Sequence, residues 1–265
     1  MARVTRVAVV TGAGRGIGAA TVEALAAAGW AIVAVDRCAD DPRIPYSLAT
    51  EDDLRAVVAR SGAPERVIPF VADAADLDAM TSAVALAEEQ FGGLDAMVAV
   101  AGVIAGGVPL WEMPLDQEEA VFDIDLRAVL VAARVAIPAL LRRPEPRAGR
   151  LIAVASVAAT RGLPLLSAYC AAKAGVTGLV RALGAELRGT GITANAISPG
   201  STATAILDES ARLYGLETAE AFSAQQPLAR LITPAEVAAA ISWVAHESTQ
   251  AMTGAVLPVD GGLGL

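Results

Sequence analysis

The sequence is almost without lysine, asparagine and histidine. Of its 20 basic residues Lys173 is the sole lysine, and Asn195 and His246 are each the single representative of their type. One histidine and two cysteines, Cys38 and Cys170, make neither a metal-ligand set nor a disulfide framework. No metal is expected, and a reducing cytoplasm is the simplest compartment. Positive charge is scarce as well: 20 basic against 29 acidic residues leave a net charge of −9. That balance excludes the basic stripe a nucleic-acid partner requires and disfavours an anionic membrane surface. Long apolar runs are missing too. The segment from Ala96 to Trp111 is interrupted by glycines and Pro109 and falls short of the roughly 18 apolar residues of a membrane helix. The opening MARVTRVAVV runs into a glycine loop and not into a small-residue cleavage site, so no leader is expected. A soluble protein is expected.

What is present is core material, with 55% hydrophobic and 18% charged residues in 265. Short β-branched runs alternate with longer Ala/Leu-rich stretches. The strand-like runs are 7–11, 31–36, 67–73, 94–102, 150–156, 192–200 and 255–260, and each of the first six is followed by a helical pattern, continuous over 117–141 after the fourth. Apolar strands separated by helices predict a parallel sheet covered on both faces. Seven strands in unbroken alternation predict one doubly wound α/β domain spanning 1–265. Two segments interrupt the rhythm: the connection 37–50, RCADDPRIPYSLAT, and the stretch 201–226. Long connections at the carboxyl ends of strands build the binding site of such a sheet, although each also reads as a tolerated surface insertion.

The first strand leads into TGAGRGIG, with Gly12, Gly14, Gly16 and Gly18 within eight residues. Glycines there let the backbone approach a pyrophosphate, and the helix N-terminus beyond supplies N–H donors and a positive dipole end. Gly12, Arg15, Gly16, Ile17 and Gly18 are the expected cradle of a Rossmann-type dinucleotide site. The acid that such a site uses on a ribose is Asp36, ending the second strand 20 residues beyond Gly16. A carboxylate there favours NAD over NADP, with Arg37 and Cys38 beside it. Arg15 and Arg37 keep NADP open, since an arginine near this point can hold a 2′-phosphate. Asp73, followed by Ala74, ends the third strand and reads either as a contact to the adenine edge or as a plain helix cap.

Tyr169 and Lys173 lie four apart on a helical pattern and so share a face. A free phenol is a poor base near neutrality. An ammonium at about 4 Å and an effective dielectric near 20 would favour the phenolate by roughly 4 kcal/mol, or up to about three pKa units. That is enough to bring a tyrosine toward neutral pH, and Ser156, ending the fifth strand, stands where a substrate oxygen would lie.

With these residues assembled, the chain resembles the short-chain dehydrogenase/reductase family over essentially its whole length. The matching segments are Thr11-Gly12-x-x-x-Gly16-x-Gly18, Ser156 thirteen residues before Tyr169, Tyr169-x-x-x-Lys173, Asn195-Ala-Ile-Ser-Pro199-Gly200 and Val259-Asp260-Gly261-Gly262. The resemblance implies that Tyr169 is the acid/base, that Lys173 lowers its pKa and binds the nicotinamide ribose, and that Ser156 orients the substrate. It also implies that Pro199, Gly200, Thr202 and Thr204 line the nicotinamide pocket and that the protein is a homotetramer. Two departures concern asparagine. The family's Asn-Ala-Gly after the fourth strand stands here as Val100-Ala101-Gly102, where Ala101 and Gly102 can still pack on the cofactor. The family's catalytic asparagine aligns with Asp125, which is expected to stabilise Lys173 and to offset its effect on Tyr169.

The connection 37–50 resembles the insertion of the mycofactocin-dependent subgroup, in which an extra loop covers NAD and mycofactocin reoxidises it. For substrate, Trp111, Ile206 and Leu207, with Leu213 and Phe222, imply a hydrophobic alcohol or ketone, 201–226 being a substrate lid. An ordinary alcohol dehydrogenase or ketoreductase that exchanges NAD(H) freely, a dehydratase or epimerase on the same scaffold, and an NAD-sensing protein without catalysis are the competing readings.

Overall fold

The computed structural model describes residues 5–265. Its strands are β1 (Val7–Thr11), β2 (Ala31–Asp36), β3 (Val67–Val71), β4 (Ala96–Ala99), β5 (Arg150–Val154), β6 (Thr193–Pro199) and β7 (Val256–Val259). The helices are α1 (Gly16–Ala27), α2 (Glu51–Arg60), α3 (Leu77–Phe91), α4 (Leu115–Phe122), α5 (Ala128–Arg142), α6 (Ser167–Glu186), α7 (Ala205–Leu213) and α8 (Pro234–Ala245). All seven strands are parallel, in the order β3-β2-β1-β4-β5-β6-β7. This is the expected doubly wound, Rossmann-type sheet.

Alternation along each strand feeds two cores. Val7 and Val9 of β1 join Val33, Met97 and Leu151 on one face, under Met80 of α3, Leu140 of α5 and Val176 of α6. Ala8 and Val10 join Ile32, Val98 and Ile152 on the other, under Leu25 of α1, Leu54 of α2 and Ile241 of α8. Strands buried on both faces need apolar residues at every position, which is why β1 reads VAVVT without a polar alternate.

Local chemistry sets the helix limits. Thr50 and Asp53 close a capping box at the start of α2, and Thr233 and Glu236 do the same for α8. Asp76 caps α3 by accepting from Asp78 N and Ala79 N. That corrects one reading of Asp73, which is not the cap. The continuous helix expected over 117–141 is divided: between α4 and α5 the stretch Asp123–Arg127 winds as π-helix. The wider turn is the device that carries Asp125, fully buried, inward.

The chain winds outward from β1 to β3 and then returns to place β4 on the other side of β1. The reversal opens a crevice at the carboxyl ends of β1 and β4. Every segment singled out from the sequence, from the glycine loop to the stretch 201–226, emerges at that end.

Candidate active site

The glycine loop is built by close approach. Thr11 Oγ1 accepts from Val100 N at 3.1 Å and Ala101 N at 3.3 Å, tying the end of β1 to the turn after β4. Gly12 has φ +65°, and a Cβ on it would stand 2.8 Å from the Ala101 backbone. A Cβ on Gly18 would run into the carbonyl group of Gly12. Helix α1 begins at Gly16 with no side-chain cap, so its first N–H groups are left for an anion at the cleft that Gly12, Arg15, Gly16, Ile17 and Gly18 line. Gly18→Ala is expected to cost about 1–3 kcal/mol through overpacking and to strip the protein of bound dinucleotide. Thermal melting and dinucleotide content measure the two effects.

Asp36 sits at the cleft with its carboxylate fixed: Oδ2 accepts from Gly14 N at 2.8 Å and Oδ1 from Cys38 N at 3.1 Å. Cys38 itself does not line the cleft, and its left-handed backbone, φ +54°, turns the chain into the insertion. The insertion 37–50 is anchored along its length. Arg43 Nη1 donates to Asp123 Oδ2 at 2.8 Å, Ile104 N donates to Tyr46 Oη at 3.0 Å, and Leu48 N donates to Asp40 Oδ1 at 2.7 Å. Ile44 is buried with Val103, Ile104 and Met113, and Ala49 packs against Gly14. Arg37, Leu48 and Ala49 therefore form a wall of the cleft, as do Asp73 and Ala74 after β3.

Tyr169 and Lys173 project from one face of α6, 9% and 3% exposed. The Lys173 ammonium donates to the Val154 carbonyl at 3.2 Å and lies 2.9 Å from Asp125 Oδ1 and 5.7 Å from the Tyr169 ring centroid. Gly102 closes over the pair: a Cβ there would be 2.8 Å from Asp125 Oδ1 and 3.4 Å from Lys173 Nζ. Ser156 Oγ accepts from Ala158 N at 3.1 Å and lines the same cleft as Tyr169 and Lys173. Asp125 does not line the cleft and reaches it through two residues that do, Lys173 at 2.9 Å and Val103, whose N donates to Asp125 Oδ2 at 3.4 Å.

The electrostatics add burial to the offset by Asp125 that the sequence suggested. Burial pushes the Tyr169 phenol above its ordinary value. The Lys173 ammonium opposes this, the Asp125 carboxylate reinforces it, and the Ser156 hydroxyl favours the phenolate without reversing the balance. Taking Lys173 alone predicted a phenol near neutrality. The structure instead divides the lysine's charge with Asp125 and desolvates the phenol, so the rise wins. For Lys173, burial works against the charge, but Asp125 and then Tyr169 hold its pKa above the ordinary value. The ammonium is secured by the carboxylate.

The cleft measures about 940 Å³. On its far side Pro199, Gly200, Thr202 and Thr204 descend from β6, and a Cβ on Gly16 would come 3.3 Å from the Thr204 methyl, so this segment abuts the glycine loop. Ile206 and Leu207 of α7, Phe222 and Ile104 make the lining apolar. Trp111, expected among the substrate contacts, stands apart: it is 84% exposed on the short turn Leu110–Glu112 and does not line the cleft. Tyr214 and the segment Leu163–Pro164 were missed and do line it, joined by a Tyr214 hydroxyl that donates to the Pro164 carbonyl at 2.7 Å. The thirteen-residue return from Ser156 to Tyr169 was the available signal, because that chain must cross the mouth of the site. Among the described residues no group of three or more His, Cys, Asp or Glu side chains could hold a metal ion.

This arrangement has known counterparts. Residues 12–264 match the family model described as enoyl-(acyl carrier protein) reductase. A short-chain reductase protein, NovJ, of Streptomyces niveus is 39% identical over 97% of this chain and 93% of its own. The cis-4-hydroxycyclohexanecarboxylate dehydrogenase of Sinomonas cyclohexanicum is 34% identical over 97% of this chain and 96% of its own. The crystal structure of carveol dehydrogenase from Mycobacterium avium in complex with NAD superposes with a TM-score of 0.92 at 30% identity, covering 99% of both chains. Other solved neighbours hold NADH or NADPH, so a nicotinamide dinucleotide is the cofactor class of this fold. The chain belongs to the short-chain dehydrogenase/reductase family, oxidoreductases acting on CH–OH and carbonyl groups.

Proposed function

We propose that the protein is an NAD-dependent dehydrogenase of hydrophobic, cyclic alcohols that keeps its NAD bound and passes the electrons on to mycofactocin. The observation that carries this reading is the insertion 37–50, which forms a wall of the cleft beside Asp36 and is pinned at Asp123 and Ile104. Release of a dinucleotide beneath it requires those contacts to open, which slows exchange. The glycine cradle, the uncapped start of α1 and the Asp36 carboxylate fit a dinucleotide without a 2′-phosphate. When bound, NAD supplies the hydride acceptor.

The chain's own groups do the rest. Ser156 holds the substrate oxygen, and the Tyr169 phenolate takes the hydroxyl proton as hydride leaves the carbinol carbon; in reduction the phenol returns it. Lys173 holds the nicotinamide ribose and favours the phenolate, and Asp125 keeps the ammonium charged. Ala101, Gly102, Pro199, Gly200, Thr202 and Thr204 shape the nicotinamide side. The lid, residues 201–226, presents Ile206, Leu207 and Phe222 to a substrate with no charge to satisfy. Trp111 is left out of this assignment. Exposed Leu115, Leu130 and Leu141 on α4 and α5 support assembly into a homotetramer, working in the cytoplasm.

The test needs no substrate. Protein that is purified, washed extensively and denatured is expected to release close to one NAD per chain, counted by chromatography. Such protein should reduce an artificial electron acceptor in the presence of a cyclic alcohol without added NAD. An empty protein that turns over only with added NAD rejects the retained-cofactor and mycofactocin assignments and leaves an ordinary exchanging dehydrogenase.

A further inference from the structure

Two arginines, Arg15 and Arg37, line the cleft together with Asp36, and the insertion engages both. Arg15 Nη1 donates to the Ser47 carbonyl at 2.7 Å, with its guanidinium 5.9 Å from the centroid of the Tyr46 ring. Arg37 Nη1 donates to Asp41 Oδ2 at 2.7 Å and stands 3.8 Å from Asp73 Oδ2. Asp41 is 2% exposed. Arg43 grips it from the other side through its backbone N at 3.0 Å, Nε at 3.0 Å and Nη2 at 2.9 Å, and is itself anchored on Asp123. A buried carboxylate so saturated does not release its partners cheaply, because losing one leaves charge unpaired.

We propose that Asp41, with the Ser47 carbonyl behind it, is a second determinant of dinucleotide choice: it ties Arg37, as Ser47 ties Arg15, to the insertion at the wall of the cleft and so withholds from a 2′-phosphate the donors it needs. The location of the adenosine half rests on the NAD reading above. Asp36 acts by repelling the phosphate, and Asp41 acts by removing its attraction. The two operate on the same group through different residues. Removing Asp36 alone therefore leaves a site that tolerates NADP without binding it well. Residues 37–50 then serve specificity as well as cover, and Arg15 and Arg37, although they line the cleft, have donors committed to the insertion.

The experiment counts dinucleotides. Each protein is incubated to constant occupancy with equimolar NAD and NADP, freed of unbound nucleotide and denatured, and the two released dinucleotides are quantified. Against Asp36→Ala, the pair Asp36→Ala/Asp41→Asn is expected to raise the NADP:NAD ratio about tenfold, the scale of one charged hydrogen bond regained by phosphate. Adding Arg37→Ala should abolish that gain. A ratio unchanged within about twofold, or a gain that survives Arg37→Ala, overturns the proposal. If Asp41→Asn does not fold, Arg37→Ala in the Asp36→Ala background still decides. A withheld arginine contributes nothing, so the ratio must stay constant, and a drop in the NADP share refutes the idea. Wild-type protein loading mainly NADP would instead reject the NAD reading, which is a separate outcome.

Discussion

Tyr169→Phe is expected to lower kcat for alcohol oxidation by about 10²–10⁴-fold, the range of a lost general acid/base, while dinucleotide content stays at the wild-type level. The structure separates the two readouts. Lys173 is held from the far side, by Asp125 at 2.9 Å and the Val154 carbonyl at 3.2 Å, so removing the phenol oxygen leaves the ammonium in place to meet a ribose. The ring stays in its apolar surroundings, with Val103, Ile104 and Leu166 in the same cluster, so the fold has little reason to weaken. Burial works against the phenolate, and the substitution also removes a desolvated hydroxyl, which limits any loss of Tm. Steady-state rates and NAD content on one preparation measure the outcome. Turnover surviving above about a tenth of wild type would move the proton transfer to another group, and a catalytically silent NAD-binding protein would give no turnover in either form.

How far the sequence reaches depends on whether a feature is local. Strands β1 and β2 were legible to the residue, because continuous apolar runs, ended by the glycine loop and by Asp36, mark them from within. Tyr169 and Lys173 were legible because a four-residue spacing on a helix fixes a shared face whatever surrounds it. The sign of the Tyr169 shift was not legible: the offset by Asp125, 48 positions before Lys173, was foreseen, but the burial that outweighs Lys173 is not written in the local spacing. Likewise the Arg43–Asp123 pair ties the insertion to the rest of the fold and the Arg37–Asp41 pair ties it to itself, yet no periodicity encodes which acid meets which arginine. The π-helical stretch Asp123–Arg127 was hidden for a related reason: FDIDLRA has ordinary helical character, and nothing in its pattern marks the widened turn. Trp111 misled because an aromatic between glycines and prolines looks like a substrate contact. Its position on a turn outside the cleft follows from the path of the chain, not from its neighbours.

The same three-charge cluster gives the second large effect. Asp125→Asn is expected to move the acid limb of the oxidation pH profile to lower pH by about one unit, the effect of removing one partly screened charge, with NAD content unchanged. The sign follows from the active form. Oxidation needs the phenolate, so the rate rises with pH through the Tyr169 pKa, which burial holds up and Asp125 raises further. Asparagine keeps a side-chain oxygen within reach of Lys173 but carries no charge, so deprotonating Tyr169 no longer adds a second anion to a buried cluster. The ammonium is then free to favour the phenolate alone, which is the simpler two-group arrangement the Tyr169–Lys173 spacing suggests. Asp125→Ala behaves differently: it leaves the Lys173 charge buried with no carboxylate, costing about 3–5 kcal/mol, and should lower Tm sharply. A limb that stays where it is would show that Asp125 acts only as a structural partner of Lys173. A limb that moves to higher pH would mean that the lysine gives up its proton once the carboxylate is gone, making Asp125 the group that keeps Lys173 useful and not the one that restrains it.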